Sequence, residues 1–316
     1  MRGLEVKKIL VANVGSDSLS IVDLNNDFYM KEILIHSMLK ESENNKKSFN
    51  SKDIPRIGVH QLIKGKECNI LYSVNSYNNT VYKIDIEKEK VLNSVHVGSY
   101  PTHMVLINNK IYITNSDSNS ISVVDEDKFQ LIENIAVNEK PHDIVFDKKN
   151  REIYIANSNG YSISIFNLDT NKLKHFKLDV HPLHLYLRQD YMYILSSQNN
   201  GMKNSCILIF DINNKKILER IYIDEVIMNM TTVNDESIIF TTNISNGFLY
   251  KLNFNEKSII NKYYIGGMPN NILWDGKELL YITNTQKNIL TVLNYPKGKI
   301  IRNIKVGKEP NGLLFL

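Results

Sequence analysis

The sequence predicts an all-β protein, a seven-bladed β-propeller with four-stranded antiparallel blades. A short apolar phrase that ends in Asn or Ser recurs seven times along the chain. The spacing between copies is close to 40 residues, which is typical of propeller blades. The last residues form one further apolar strand without a hairpin after it, which predicts that the C-terminal strand joins the N-terminal blade and closes the ring.

The recurring phrase begins with a large apolar residue and predicts the second strand of each blade. Its copies are Leu10–Asn13, Tyr72–Asn75, Tyr112–Asn115, Tyr154–Asn157, Tyr193–Ser196, Phe240–Asn243 and Tyr281–Asn284. Five of the six intervals between copies measure 39 to 47 residues. The first interval measures 62 residues, because it contains a polar insertion at residues 37–53 between blades one and two.

Each repeat contains signals for three more strands. A polar loop such as Ser116–Ser120 follows the phrase, and the alternating segment Ile121–Val124 comes next, which is typical of a β-hairpin. A third strand, for example Val91–Val97, ends in a Gly/Pro connector such as Val97–Pro101. The innermost strand of the next blade follows, as in Ile144–Phe146. No segment has helical periodicity, and we expect one propeller domain over residues 1–316.

Pro310–Leu316 resembles an innermost strand, whereas the first blade lacks one. We therefore expect these two parts of the chain to pair. Pairing of this kind removes the free edges that an open sheet would leave.

The composition is that of an ordinary globular protein, with 42% hydrophobic and 23% charged residues. The net charge of +4, from 38 basic and 34 acidic residues, makes nucleic acid an unlikely partner. Cys68 and Cys206 are far apart and suggest two reduced thiols rather than a disulfide framework. With no apolar leader and no apolar stretch of about 20 residues, we expect a cytoplasmic monomer without a membrane segment. Frequent Asn, Lys and Ile suggest a bacterial source.

The phrases Tyr112–Asn115 and Tyr281–Asn284, with the Val-Gly-x-x-Pro connectors, resemble the YVTN-repeat propellers, the group of YncE-like proteins. The resemblance covers residues 9–316. It implies the propeller fold. For function it implies a range of roles, which include nucleic-acid binding, surface-layer assembly, lactone hydrolysis and lyase activity.

Geometry predicts that the hairpin loops and the connectors share one face, which we call the top, at the mouth of the central channel. The second residue after each connector Pro is expected to line this mouth. These residues are His103, Asp143, His184, Asn229, Asn271 and Gly312, with Asn311 beside the last and with blade two ambiguous between Ile57 and His60. His142 and His181 lie close to this row in sequence, and His142 is predicted to bind the ligand together with the row.

These residues support three hypotheses. The first is a binding propeller that holds a protein, a peptide or a small-molecule ligand on the top face, without a definite cofactor. The second is a metal-assisted hydrolase or lyase in which His103, Asp143 and His184 hold a divalent metal. The third is single-stranded nucleic-acid binding, for which the near balance of charges is a weak basis. The first is preferred, because no catalytic motif is present.

Two further features are expected on the top face. The insertion at 37–53 and a shorter one at 198–205 are placed where a binding loop or a lid would lie. Asn and aromatic side chains suited to polar ligands are expected around the rim. They are Arg56, Tyr77, Tyr100, Asn159, Tyr161, Asn199, Asn200 and Asn270.

Overall fold

Seven antiparallel sheets of four strands each surround a central axis in the computed structural model of the protein. The structure describes residues 8–39, 54–197, 205–233 and 237–316. Both predicted insertions, at 37–53 and 198–205, fall largely outside these residues. Among the described residues, no helix is long and apolar enough to cross a membrane.

The strands follow the chain blade by blade, each blade running from the axis outward. Blade 1 contains β1 (Lys8–Asn13), β2 (Ser18–Asp23) and β3 (Tyr29–Leu34). Blade 2 contains β4 (Val59–Lys64), β5 (Ile70–Asn75), β6 (Thr80–Asp85) and β7 (Lys90–His96). Blade 3 contains β8 (Pro101–Ile107), β9 (Lys110–Asn115), β10 (Ser120–Asp125) and β11 (Gln130–Ala136).

The other four blades repeat this order. Blade 4 contains β12 (Pro141–Asp147), β13 (Glu152–Asn157), β14 (Ser162–Asn167) and β15 (Lys172–Lys177). Blade 5 contains β16 (His184–Arg188), β17 (Tyr191–Ser196), β18 (Ser205–Asp211) and β19 (Lys216–Ile223). Blade 6 contains β20 (Ile227–Thr232), β21 (Ile238–Asn243), β22 (Phe248–Asn253) and β23 (Ser258–Tyr264). Blade 7 contains β24 (Pro269–Trp274), β25 (Leu279–Asn284), β26 (Ile289–Asn294) and β27 (Lys299–Lys305).

The last strand, β28 (Pro310–Phe315), closes the ring as predicted. It pairs antiparallel with β1, with Phe315 opposite Ile9 and Leu313 opposite Val11. Its side chains alternate between two interfaces, since Leu313 and Phe315 pack towards blade 7 while Leu314 packs towards blade 2. The first and last described strands are therefore joined by backbone hydrogen bonds.

The hydrophobic core is divided among the interfaces between blades. Each of the seven clusters of buried apolar residues joins two neighbouring blades. The first residue of the recurring phrase lies in these clusters, as buried Tyr72, Tyr154 and Tyr281 show. A four-stranded sheet has two faces to bury, and radial packing covers both.

The Asn that ends the phrase connects the two strands of the inner hairpin. Its side chain is fully buried in six blades, and in blade 3 the Asn115 Nδ2 donates to Ser120 Oγ at 3.1 Å and to Ser122 Oγ at 2.9 Å. Asn157 makes the same bonds to Ser162 and Ser164. Because a buried amide must be hydrogen-bonded, the recurrence of Asn followed by Ser has a structural reason.

Two short helices lie in blade 1 and were not predicted. They are a 3₁₀ turn at Val14–Ser16 and α1 at Ile35–Met38, which precedes the insertion. The buried carboxylate of Asp17 accepts hydrogen bonds from three backbone amides on the other side of the insertion. These are the amides of Arg56, Ile57 and Gly58, at 2.6, 3.0 and 2.7 Å. This carboxylate fixes the chain where it enters blade 2.

Candidate functional site

A β-bulge at the start of the innermost strands shapes the channel mouth. In blade 3, Pro101 pairs with Asn115 and Met104 pairs with Ile113, so Thr102 and His103 together oppose one residue. The same shift occurs in blades 1, 2, 4, 6 and 7. A bulge places two consecutive residues opposite one. We call them the first and second mouth positions.

The register assigns one residue of each blade to each position. From blade 2 round to blade 1, the first mouth position holds His60, Thr102, His142, Leu183, Met228, Asn270 and Asn311. In the same order, the second mouth position holds Gln61, His103, Asp143, His184, Asn229, Asn271 and Gly312.

The prediction for blade 2 was wrong. Neither Ile57 nor His60 occupies the second mouth position, because Val59 pairs with Asn75 and Gln61 pairs with Val74. Gln61 also makes the bond typical of that position: its Oε1 accepts from Met104 N at 2.7 Å, as Asp143 Oδ2 accepts from Leu185 N at 2.9 Å. His60 occupies the first mouth position.

Four imidazole rings meet at one side of the mouth. The ring centroids of His103 and His142 lie 4.8 Å apart, those of His142 and His184 lie 5.1 Å apart, and those of His103 and His184 lie 5.4 Å apart. The ring of His60 lies 5.2 Å from that of His103. We call these four side chains the histidine cluster. Blades 2 to 5 each contribute one member.

Hydrogen bonds to backbone carbonyls fix the tautomer of two members. His60 Nδ1 lies 3.0 Å from Thr102 O, and His103 Nδ1 lies 2.8 Å from His142 O. A carbonyl oxygen only accepts, so Nδ1 carries the hydrogen in both rings. In the neutral ring Nε2 therefore keeps its lone pair.

Asp143 holds the third ring. Its Oδ2 accepts from His184 Nδ1 at 3.2 Å and from Leu185 N at 2.9 Å, while its Oδ1 accepts from Ile144 N at 2.8 Å. Both oxygen atoms are engaged, so this carboxylate lies behind His184 and orients it. The predicted metal ligands included Asp143, whereas the three described groups whose ligand atoms converge are His103, His142 and His184.

The carbonyl of His142 is a further anchor of the site. It accepts hydrogen bonds from Thr102 Oγ1 at 2.6 Å and Thr114 Oγ1 at 2.9 Å, in addition to His103 Nδ1. Within the described residues, the ring of His142 itself has only contacts with other rings. Its backbone is rigidly held, while its imidazole has no hydrogen-bond partner there.

Burial favours the uncharged form of three members of the cluster, His60, His103 and His142. Desolvation and the neighbouring His103 lower the pKa of His60 to about 3. Desolvation lowers the pKa of His103, and desolvation with three neighbouring imidazoles lowers the pKa of His142 well below its ordinary value. Burial alone would raise the pKa of Asp143, but the nearby His103 and the hydrogen bond from His184 lower it to about 2.

The remaining predicted residues lie away from the cluster. Asn229 and Asn271 are half-buried at the second mouth position of blades 6 and 7, where each side chain accepts from the next backbone amide. Asn311 lies in blade 1, with its Oδ1 3.5 Å from Asn270 Nδ2. Arg56 is exposed on the segment held by Asp17. Asn229, Asn271 and Asn311 share the mouth with the histidines, and within the described residues none of these three side chains has a hydrogen bond to them.

The predicted rim is described in part. The exposed rings of Tyr77 and Tyr100 lie 6.5 Å apart, and Tyr161 packs on His181 with ring centroids 3.8 Å apart. Asn199 and Asn200 fall outside the described residues, as does most of the insertion at 37–53. No described contact shows a role for these loops in the site.

An apolar channel begins directly below the cluster. Its cavity of about 440 Å³ is formed by the innermost strands β4, β8, β12 and β16, which also carry the four histidines near their first residues. The lining residues are Ile63, Lys64, Met104, Val105, Leu106, Ile144, Val145, Phe146 and Leu187. A larger groove of about 780 Å³ lies between blades 5 and 6, beside Tyr191, Leu218 and Phe254. The histidine cluster does not line this groove, whereas Met104 and Ile144, which line the channel, directly follow His103 and Asp143.

Comparison with known proteins supports the fold. No protein-family model matches the chain, and no curated protein matches it in sequence. The structure is similar to a putative 6-phosphogluconolactonase from Bacteroides fragilis, with a TM-score of 0.75 and 14% identity over 100% of this chain and 99% of that one. It is also similar to Kuenenia stuttgartiensis hydrazine synthase, with a TM-score of 0.73 and 16% identity over 84% of this chain and 92% of that one.

A third similar structure is the dihydro-heme d1 dehydrogenase NirN, with a TM-score of 0.69 and 12% identity over 100% of this chain and 76% of that one. At these identities the similarity extends to the fold alone. The chain is a seven-bladed β-propeller.

Proposed function

We propose that this propeller binds a small-molecule ligand at the channel mouth, with a polar group at the histidine cluster and an apolar body in the channel. The observation that carries the proposal is the convergence of four imidazoles and one carboxylate directly above an apolar cavity. Ligand sites are typically apolar cavities of roughly 300–1,000 Å³ with a few convergent polar groups. Groups with strongly shifted pKa values often mark such sites.

The continuity between cluster and cavity supports one ligand that spans both. Met104 directly follows His103, and Ile144 directly follows Asp143, so the polar and apolar parts of the site lie on the same strands. The polar side chains of the site are preorganised, because the rings of His60 and His103 and the carboxylate of Asp143 are all held by hydrogen bonds. A preorganised site loses little conformational entropy when a ligand binds.

The same features favour a small ligand over single-stranded nucleic acid. Nucleic-acid affinity comes largely from basic side chains that neutralise phosphates. The low pKa values of His60, His103 and His142 leave these rings neutral at pH 7, so the mouth gains no positive charge from them.

Membership of the YVTN-repeat group, a protein or peptide partner and a cytoplasmic location stay predictions from the sequence.

A fluorescent probe with a polar head and an apolar body tests this proposal. We would titrate the protein, in the presence of EDTA, with anilinonaphthalene sulfonate and measure its fluorescence. Val145 is half-exposed on the channel wall, so Val145→Lys narrows the channel and places a charge in it. Leu218→Lys makes the matched change in the groove between blades 5 and 6.

We expect saturable binding of one probe per chain, weakened about tenfold or more by Val145→Lys and unchanged by Leu218→Lys. A tenfold change corresponds to about 1.4 kcal/mol, less than the burial of one large apolar group contributes. Circular dichroism would confirm that both variants keep the native sheet content. Absence of saturable binding, or equal loss in both variants, would show that the channel is not the binding site.

A further inference from the structure

We propose that the histidine cluster is a transition-metal site, in which His103, His142 and His184 bind one ion through ring nitrogen atoms. This inference deepens the proposed function and rests on it, because the ion would lie at the same channel mouth. The ligand atoms of these three side chains all lie within 4.8 Å of one another.

The separation of these atoms is close to that of a loaded site. Imidazole nitrogen atoms lie about 2.0–2.1 Å from a bound zinc ion, so two of them in a tetrahedral site are about 3.4 Å apart. The rings would therefore move together by about 1 Å when the ion binds. The three rings already lie edge to face, with centroids 4.8 to 5.4 Å apart, so the proposal requires only small rotations of the rings about their side-chain bonds.

The hydrogen bonds behind the rings are those that metal-ligating histidines use. A ligating His normally donates its other N–H to a carboxylate or a backbone carbonyl, which fixes the tautomer. His184 Nδ1 donates to the Asp143 carboxylate, and His103 Nδ1 donates to His142 O. Both rings thus offer Nε2 as the ligand atom. Asp143 is a positioning residue in this arrangement.

The ring of His142 provides an independent indication. Within the described residues it has no hydrogen-bond partner, although it is enclosed by three other imidazoles. The ring is half-buried, so its nitrogen atoms are not needed for any hydrogen bond within the described part of the chain. A metal ion at the centre of the three rings could bind this ring without breaking one.

The ligand set selects the class of metal. Three neutral imidazoles suit Zn²⁺, Co²⁺, Ni²⁺ or Cu²⁺, whereas Mg²⁺ and Ca²⁺ require oxygen ligands. Three protein ligands leave a fourth position open, which is typical of metal sites that bind a ligand or a water molecule. The apolar channel begins beside this position. The structure therefore favours an anionic group of the ligand as the fourth donor, and His60 is near enough to contact it.

Cobalt titration tests the site directly. Protein treated with EDTA and dialysed is titrated with Co²⁺, and the visible ligand-field bands report coordination by nitrogen atoms. Zn²⁺ affinity is then measured by calorimetry for the wild type, His142→Ala and Asp143→Asn. His181→Ala is the matched control, because His181 lies near the cluster in sequence but its Nδ1 donates to Ser158 O and its ring packs on Tyr161.

We expect one Co²⁺ per chain, with Zn²⁺ displacing it and Mg²⁺ not competing. His142→Ala should reduce the Zn²⁺ affinity by at least about 100-fold, and Asp143→Asn by about 10- to 100-fold, the range found for residues that orient a ligating histidine. His181→Ala should leave the affinity unchanged. If His142→Ala does not fold, His142→Gln, which keeps the side-chain volume close, replaces it in the same measurement.

Wild-type protein without ligand-field bands, or affinity that survives His142→Ala, would overturn the metal inference. The result is separable from the test of the proposed function, because the fluorescent probe is titrated in EDTA. Probe binding without Co²⁺ binding would remove the metal site and keep the ligand site. Co²⁺ binding without probe binding would do the reverse.

Discussion

Gly312 is where ring closure and the candidate site meet, and Gly312→Ala tests both. This residue occupies the second mouth position on the closing strand β28. A Cβ atom added here would lie 2.6 Å from His60 O and 3.0 Å from the Cα of Gln61. Both are backbone atoms of blade 2, so no side-chain rotation relieves the contact.

The sign of the stability change separates two outcomes. Where a new methyl group fits, Gly→Ala stabilises a protein by about 0.4–1 kcal/mol, because the unfolded chain loses freedom. Overpacking of a close contact destabilises by roughly 1–3 kcal/mol. We expect Gly312→Ala to lower the free energy of unfolding by about 1–3 kcal/mol, and Gly312→Val to lower it further, since blades 1 and 2 must separate.

Urea unfolding followed by circular dichroism and tryptophan fluorescence would measure these differences. The added methyl group should also displace the backbone of His60, because it would lie too close to the carbonyl oxygen of this residue. Since His60 belongs to the histidine cluster, the substitution should affect the candidate site. We therefore expect weaker binding of the anilinonaphthalene sulfonate probe in Gly312→Ala. A variant as stable as the wild type, or more stable, would show that blades 1 and 2 do not approach as closely as described, and the reasoning on closure would fail.

Two further predictions concern the repeat and the core. Asn115→Ala should lower the free energy of unfolding in urea by about 2–3 kcal/mol, because it removes two buried hydrogen bonds to Ser120 and Ser122. The control is Asn134→Ala, which removes an exposed side chain that accepts from Ser122, and it should change the free energy of unfolding by less than about 1 kcal/mol. Equal effects of the two substitutions would contradict the role of the repeated Asn. Burial raises the pKa of Cys206 from 9.0 to about 11, so the folded thiol stays neutral while the unfolded thiol ionises above pH 9. The neutral thiol therefore contributes its full stability below pH 9, and this contribution is lost as the pH rises towards 11. The difference in unfolding free energy between the wild type and Cys206→Ala should narrow by about 2 kcal/mol between pH 8 and pH 10.5. A constant difference would refute the raised pKa of Cys206.

The architecture was predictable because each repeat carries its own hydrogen-bonding and packing requirements. The buried Asn followed by Ser, as in Asn115 and Ser120, marks the inner hairpin of a blade in the sequence itself. The closing strand was predictable from the same logic, since Pro310 repeats the connector of the other blades and pairs opposite Asn13. Local signals that agree with the global fold are those that sequence reasoning can recognise.

The mouth of blade 2 was not predictable, because its connector differs. Val59 stands where blades 3 and 4 have Pro101 and Pro141, so the alignment had no proline to fix the register. The chain before it is held instead by Asp17, a contact between residues about 40 positions apart in sequence. Sequence order alone gives no information on such a contact.

His142 was predicted to bind the ligand, but it was not predicted as a metal ligand. The sequence placed the second residue after each connector Pro at the mouth, and the bulge places the first residue beside it. Bulges arise from the geometry of pairing and leave little trace in composition. A useful signal was present nevertheless, since His142 and Asp143 are adjacent in sequence and the blades on either side, 3 and 5, also carry a mouth histidine.

The seven blades serve as controls for one another, and this comparison separates the fold from the chemistry. At the second mouth position Asn229 and Asn271 accept a hydrogen bond from the following amide, as the Asp143 carboxylate also does. Gly312 fills the position with no side chain. The propeller therefore forms its mouth with an amide, a carboxylate or a hydrogen atom, and neither the bulge nor the pairing requires imidazole. Among the described residues, the mouth positions hold histidine only in blades 2 to 5, where burial and neighbouring imidazoles lower the pKa values of His60 and His142. Because neither the bulge nor the strand pairing requires these imidazoles, we propose that they serve the binding of a ligand.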